Sequence, residues 1–254
     1  ESTYGDREHE DIVTRRAMIL ELVKDGCRRG GTIMVPSFSI ERTQEFLFEL
    51  HKLSEHDKTL PKIPIFLDSP LAIDATKVFK KYPEYYDEEA KNYFVNHDDF
   101  LNFPQLQLSY TVEESKKINN IRGPKMVIAG SGMMNGGRIQ HHAVRYLPDP
   151  NSTLIIIGYQ SYGTPGRRIY EGASSVRMLG QEVMVNCTVK AVGALSAHGD
   201  QAKLLSWVGS AKKLPQEIYC VHGEANAATE LAHRLRDTYN VKTFVPSVGE
   251  SVEI

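Results

Sequence analysis

The sequence predicts an α/β protein built on a mostly parallel sheet flanked by helices. Short β-branched runs alternate with stretches of 3.6-residue periodicity, and the runs end in turn residues rather than in tight hairpins. A chain of 254 residues with 41 % hydrophobic residues can bury the core that such a sheet needs. Ile12, Ala17, Ile19, Leu20 and Val23 recur at helical spacing, so Ile12 to Lys24 reads as a helix stopped by Gly26. Thr32-Ile33-Met34-Val35 is an apolar strand closed by Pro36, and Ile40, Phe46, Leu47 and Leu50 mark the helix after it. The unit repeats as Ile63 to Leu67 followed by Ile73 to Tyr82, and as Lys125 to Ala129 followed by Arg138 to Tyr146; Thr153 to Gly158 is the next strand. Tyr82 to Tyr110, rich in Tyr, Phe, Asn and Asp, has weak periodicity and reads as short helices within a long excursion. Beyond Gly180, Glu182 to Val192 alternates as an antiparallel strand does. A helix from Ala202 to Val208, a buried strand from Glu217 to Val221, a helix from Ala225 to Arg236 and a last strand from Lys242 to Val245 complete the chain.

Composition narrows the class. Charged residues make up 24 %, there is no run of about eighteen apolar residues, and Glu1 to Glu10 has neither a basic nor an apolar leader. The expectation is a protein without a membrane span, located in the cytoplasm. The three cysteines, Cys27, Cys187 and Cys220, are far apart and lack a C-x-x-C spacing, which points to reduced thiols rather than a disulfide framework or a cysteine zinc site. A net charge of −2 offers no overall attraction to polyanions, so nucleic acid would need a local basic surface.

In open α/β sheets ligands gather beyond the carboxyl ends of the strands. The segments at those ends are Pro36 to Ser39, Asp68-Ser69-Pro70, Gly130 to Arg138, Gly163 to Arg168, Ser196 to Asp200 and His222-Gly223-Glu224. Gly130 to Arg138 leads into a helix, and its glycines and free N–H groups suit a phosphate; a tight strand-to-helix turn explains the same residues as well. Arg138, Arg167 and Arg168 could join as bidentate donors or remain solvated. His51, His56, His97 and His233 lack a carboxylate pattern and read as structural or solvated. His141 and His142 sit about 100° apart on one helix, so at most one faces a site. His198 and His222 differ, because each follows a strand, precedes glycine and has a carboxylate within two residues, Asp200 or Glu224. That placement suits a metal ligand or a general acid with a supporting partner. No H-x-H-x-D-H, H-E-x-x-H or G-x-S-x-G is present, and two histidines do not make a catalytic zinc site.

At these residues the sequence resembles the β-CASP branch of the metallo-β-lactamase superfamily, a group of nucleic-acid-processing hydrolases. Glu1-Ser2-Thr3-Tyr4-Gly5 resembles motif A, Ser196-Ala197-His198 motif B and Val221-His222-Gly223-Glu224 motif C. Between them Pro36 to Ser39 with Arg42 and Gln44, Asp68 to Ala72, Gly130 to Arg138, and Gly158-Tyr159-Gln160 with Gly163-Thr164 follow in the family's order. The resemblance implies a β-CASP domain over about 6–196 and the C-terminal part of a metallo-β-lactamase αββα fold over 197–254, with residues 1–5 at the lactamase end. The lactamase half that supplies H-x-H-x-D-H precedes motif A in the family, so the chain looks like the C-terminal portion of a longer enzyme, inactive by itself.

The resemblance also implies roles. His222 is a ligand of one of two zinc ions, while Glu1 orients His198 to protonate the leaving oxygen or to hold the scissile phosphate. Ser131, Gly132, Asn135, Gly136, Arg138, Gly163, Thr164, Arg167 and Arg168 bind substrate phosphates. Histidine at the motif C position favours the RNA-processing subgroup over the DNA-repair members. The expected function is a metal-dependent ribonuclease with RNA and the missing lactamase half as partners and a homodimer as a possible assembly. A non-catalytic module that binds single-stranded RNA is the alternative, and an interaction platform the third reading.

Overall fold

The computed structural model describes residues 1–96 and 102–252, so His97 lies outside the described residues. The chain separates into two compact units, one formed by Glu1–Glu10 with Ser196–Ile254 and the other by Asp11–Leu195. Residues 6–10 thus sit with the C-terminal segment. The His9 N–H donates to the Asp200 carboxylate at 3.2 Å, and the Gln201 N–H donates to the Arg7 carbonyl at 2.9 Å.

The larger unit opens with α1 (Ile12–Arg29), β1 (Thr32–Pro36) and α2 (Arg42–His51). It continues through β2 (Ile65–Leu67), α3 (Pro70–Lys81), α4 (Glu88–Asn96), β3 (Leu106–Leu108) and α5 (Val112–Ile118). Then come β4 (Lys125–Ala129), α6 (Arg138–Tyr146), β5 (Thr153–Ile156), α7 (Pro165–Tyr170), β6 (Ser175–Met178), β7 (Gln181–Met184) and β8 (Thr188–Ala191). Six strands form one sheet in the order β3-β2-β4-β1-β5-β8, and every pairing in it is parallel.

Strands buried on both faces explain the unbroken apolar runs. Alternate residues of one strand enter different cores: Ile33 and Val35, Ile65 and Leu67, and Met126 and Ile128 pack with Phe46, Leu47 and Leu50 of α2 and Ile19 and Val23 of α1. Their neighbours Met34, Phe66, Val127 and Leu154 pack with Ile139 and Ala143 of α6, Ile118 of α5 and Ile169 of α7. Each such side chain, fully buried, contributes about 1.5–3 kcal/mol of hydrophobic free energy.

Local chemistry sets the helix starts. Asp11 accepts the Thr14 N–H at 2.8 Å, Ser69 accepts from Ala72 with Pro70 in the first turn of α3, and Thr111 with Glu114 forms a capping box.

Three elements depart from the sequence expectation. Gly26 does not stop α1, which runs on to Gly30, where φ is 81°. A Cβ at Gly26 would lie 2.6 Å from the Ile33 side chain, so this glycine serves the close approach of α1 to β1. Glu182 to Val192 is not one antiparallel strand. β7 pairs antiparallel with β6, and the Asn186 and Cys187 N–H groups both donate to the Leu147 carbonyl at 2.9 Å, turning the chain so that β8 joins β5 in parallel. Helix α7 replaces a segment read as a loop.

In the smaller unit α8 (Gln201–Gly209), β9 (Glu217–Tyr219), α9 (Ala225–Tyr239) and β10 (Lys242–Phe244) follow one another. β9 and β10 are a parallel pair. Cys220, Ala228, Leu231, Ala232 and Leu235 form the core with Leu204, Val208 and Ile218 around it. β9 is less buried than its composition suggests: Ile218 packs on this core, whereas Tyr219 is half-buried and stacks on Phe244, ring centres 5.1 Å apart. The cysteines are unpaired, and among the described residues no helix is long and apolar enough to cross a membrane.

Candidate active site

Tyr4 forms a parallel bridge with Asp200, which lays the first residues of the chain beside the segment carrying His198. Glu1 reaches that segment twice. One carboxylate oxygen stands 2.9 Å from His198 Nδ1, and the other accepts the Gly199 N–H at 2.8 Å. The Thr3 N–H lies 3.4 Å from the first of these oxygens. Partial burial pushes the Glu1 carboxyl up, but hydrogen bonds from Thr3 and Gly199 and the adjacent His198 outweigh it, so the group ionises below its ordinary range. An ionised Glu1 accepts the Nδ1 hydrogen of His198 and leaves proton exchange to Nε2.

His222 is held by the same N-terminal segment. Ser2 and Thr3, both buried, donate their hydroxyls to the carbonyls of Val221 and His222 at 2.8 and 2.9 Å, across 219 residues of sequence. His222 adopts φ of 60°, uncommon for a side chain of this size. At Gly223 a Cβ would meet the Ser2 carbonyl oxygen at 2.4 Å, so only glycine admits the segment this closely. The rings of His198 and His222 lie 5.6 Å apart, and donor atoms of Glu1, His198 and His222 all fall within 4.8 Å of one another. Among the described residues no other group of three or more His, Cys, Asp or Glu side chains is so placed.

The donor set fits a zinc site in part. Imidazole nitrogen and carboxylate oxygen are both zinc donors. The Glu1 oxygens, however, are already engaged by His198, Gly199 and Thr3. His222, exposed and contacted at Nδ1, presents Nε2. One such nitrogen is a corner of a tetrahedral site and not the whole of it.

The spacing of carboxylates after each histidine misleads. Asp200 caps α8 by accepting the Lys203 N–H at 2.9 Å, and it accepts the His9 N–H as well. Glu224 stands at the start of α9 and makes no side-chain cap there. The partner of His198 is Glu1, 197 residues away. Thr3 and Ser2, as partners of the His222 segment, were not distinguished by any local signal.

The residues expected at phosphates lie in the larger unit, in the loops after β4 and β5. Most are engaged there. Ser131 Oγ donates to Asn135 at 2.7 Å and accepts the Gly136 N–H at 3.2 Å. Gly132 is covered by the Phe38 ring, and its carbonyl accepts from Gln160 at 2.9 Å. Thr164 caps α7, following Gly163, whose φ is 83°. Arg167 donates to Glu171 at 2.6 Å and to the Gln160 carbonyl at 3.1 Å. Arg138 donates to Asp68 at 2.7 Å and to the carbonyls of Ser109 and Tyr110 at 2.9 and 2.7 Å. Its guanidinium therefore braces the loop ends of the sheet. Arg168 is exposed and makes no side-chain hydrogen bond among the described residues, and Asn135 is exposed.

Asp68 explains much of this arrangement. Its carboxylate, fully buried, accepts from Ser115 and His142 at 2.6 Å each besides Arg138. Burial pushes the Asp68 carboxyl up, yet the hydrogen bonds from His142, Ser115 and Arg138 hold it below the ordinary range. Of the adjacent pair, His142 turns inward to this carboxylate and His141 stays exposed. His51 is buried against the Tyr93 hydroxyl at 3.0 Å, and His233 is exposed.

Known proteins match along nearly the whole chain. Residues 43–169 match the Beta-Casp domain, and residues 182–246 match a domain described as a Zn-dependent metallo-hydrolase RNA specificity domain. Ribonuclease TTHA0252 of Thermus thermophilus is 36 % identical over 224 residues, 88 % of this chain and 50 % of that protein. Transcription termination factor FttA of Thermococcus kodakarensis is 27 % identical over 263 residues, all of this chain and 40 % of that protein. The FttA of Methanocaldococcus jannaschii is 27 % identical over 265 residues, covering 41 % of its own length. The chain thus spans half or less of the length of these relatives.

Proposed function

Because the chain belongs to the β-CASP branch of the metallo-β-lactamase superfamily, we propose that it serves a zinc-dependent ribonuclease, supplying the general acid and one metal ligand. The convergence of Glu1, His198 and His222 carries this reading, since three side chains from opposite ends of the sequence share one locus within 4.8 Å. Glu1 holds Nδ1 of His198, so Nε2 can give a proton to the oxygen that leaves when a phosphodiester bond breaks. Zinc, when bound, supplies Lewis acidity at the phosphoryl group and an activated water. His222 Nε2 is the ligand this chain offers toward it. The remaining ligands come from a metallo-β-lactamase ligand set outside these 254 residues, and two ions and a homodimer belong to the same reading.

RNA as the substrate is supported by the match of residues 182–246 to an RNA specificity domain and by the ribonuclease among the relatives. Arg168, exposed in a loop of the larger unit, and the amide NH2 of exposed Asn135, whose oxygen accepts from Ser131, are the donors placed to meet phosphates. The test uses a labelled single-stranded RNA. The chain alone is expected to shift the RNA in a gel without cutting it, whereas a polypeptide that adds the lactamase ligand set cuts it in a zinc-dependent manner. Absence of RNA binding overturns the proposal. Tight binding of two zinc ions with cleavage by the chain alone overturns the assignment of the missing ligands.

A further inference from the structure

We propose that Thr3 is a positioning residue that fixes His222 in the Nδ1–H tautomer, leaving the Nε2 lone pair bare for a metal ion. The tautomer stands on hydrogen bonding within the smaller unit; only the identity of what binds Nε2 rests on the ribonuclease reading.

The argument counts protons. A threonine hydroxyl has one hydrogen to give and two lone pairs to accept with. Thr3 Oγ1 lies 2.9 Å from the His222 carbonyl oxygen and 3.4 Å from His222 Nδ1. The carbonyl can only accept, and it is the nearer, so the hydroxyl hydrogen goes there. The contact with Nδ1 is then attractive only if the ring nitrogen brings its own hydrogen to the threonine oxygen. A neutral imidazole carries one hydrogen, so with Nδ1 protonated Nε2 is the nitrogen with a lone pair. That is the form a metal requires, and a partner at the second nitrogen is the usual means of securing it.

The backbone makes this contact durable. Thr3 grips the carbonyl and the ring of one residue at once, and buried Ser2 grips the carbonyl of Val221 beside it at 2.8 Å. The two hydroxyls hold the segment in which His222 takes its left-handed φ of 60°. Thr3 thus stands between the two histidines' supports, touching the Glu1 carboxylate that faces His198 as well as the ring and carbonyl of His222.

The test reads the tautomer directly. Two-bond ¹H–¹⁵N spectra of the chain carrying ¹⁵N-histidine, taken at pH ~8 where free imidazole is neutral, distinguish Nδ1–H from Nε2–H, with His222 assigned by the loss of its signals in His222→Gln. The parent chain should show Nδ1–H at His222. Thr3→Val should move the population toward Nε2–H, the form free histidine prefers in water, while Thr3→Ser restores the parent pattern. Zinc titrated into the same samples should perturb His222 Nε2 at concentrations about 10–100-fold higher in Thr3→Val than in the parent. An Nε2–H signal in the parent, which needs no variant, overturns the proposal, as does a Thr3→Val spectrum like the parent's. In a polypeptide that also carries the lactamase ligand set, zinc that leaves His222 Nε2 unchanged, with the tautomer as stated, overturns the ribonuclease reading instead.

Discussion

Replacing Asp68 by asparagine removes one negative charge from a site where three donors converge and no water reaches. Asp68 is fully buried and accepts from Arg138 at 2.7 Å, His142 at 2.6 Å and Ser115 at 2.6 Å. Asparagine keeps the size but presents one oxygen and an NH2 group, so either Arg138 meets the NH2 or Ser115 and His142 must reverse their hydrogen bonds, and in both cases the guanidinium loses its charge partner. Taking away one partner of a buried ion pair costs about 3–5 kcal/mol, and the surviving amide oxygen places the expectation at the lower end. For a unit of this size each kcal/mol lowers Tm by about 2–4 °C, so the loss should be about 6–12 °C, read by calorimetry or by urea denaturation of the parent and Asp68→Asn. The pH dependence has a definite sign. The folded carboxyl ionises below its ordinary range, so its contribution is fully present above the unfolded value of about 3.9 and is lost as pH falls through the lower folded value. The parent's advantage should hold from neutral pH to about 4 and shrink below that. A deficit under about 1 kcal/mol, the scale of an ordinary hydrogen bond, or one that persists unchanged in acid, would refute the account of Asp68 as the charge that holds Arg138.

The arginines should separate by assay. Arg138→Ala strands the Asp68 charge, so its main effect appears as lost stability. Arg168→Ala should leave stability within about 0.5 kcal/mol while weakening RNA binding and reducing its salt slope by about one; unchanged affinity removes Arg168 from the phosphate contacts. Gly26→Ala should destabilise the larger unit by about 1–3 kcal/mol despite the better helix propensity of alanine, because the new methyl meets Ile33; a rise in Tm contradicts this. In a cleaving form of the protein, His198→Ala should lower kcat about 10²–10⁴-fold with RNA binding retained, and full activity would exclude His198 as the acid.

Much of the architecture is legible in the chain itself. Unbroken apolar runs such as Ile33-Met34-Val35 and Met126-Val127-Ile128 serve two cores at once, and the four residues Leu67-Asp68-Ser69-Pro70 contain a strand end, a helix cap and a first helical residue. Gly26 reads as a helix stop because a glycine that permits close packing and a glycine that ends a helix look alike until the partner, Ile33, is known. The Glu182 to Val192 alternation reads as one strand because period two does not say which neighbour a strand takes, and Leu147 decides it. At the site the order of motifs was legible, and with it Glu1, His198 and His222 as residues of interest.

What the sequence determined alone is the layered α/β plan, since periodicity and capping depend on residues within a few positions of each other. The pairing of Glu1 with His198 is implied by the resemblance and not by local spacing, which points to Asp200; only the tertiary structure decided that Thr3 contacts His222 and that Arg138 is taken by Asp68. The physical reason is range. A hydrogen bond is made or lost over a few tenths of an ångström, and these bonds join residues 70 to 219 positions apart, so their partners are set by how the strands and helices stack and not by any spacing along the chain.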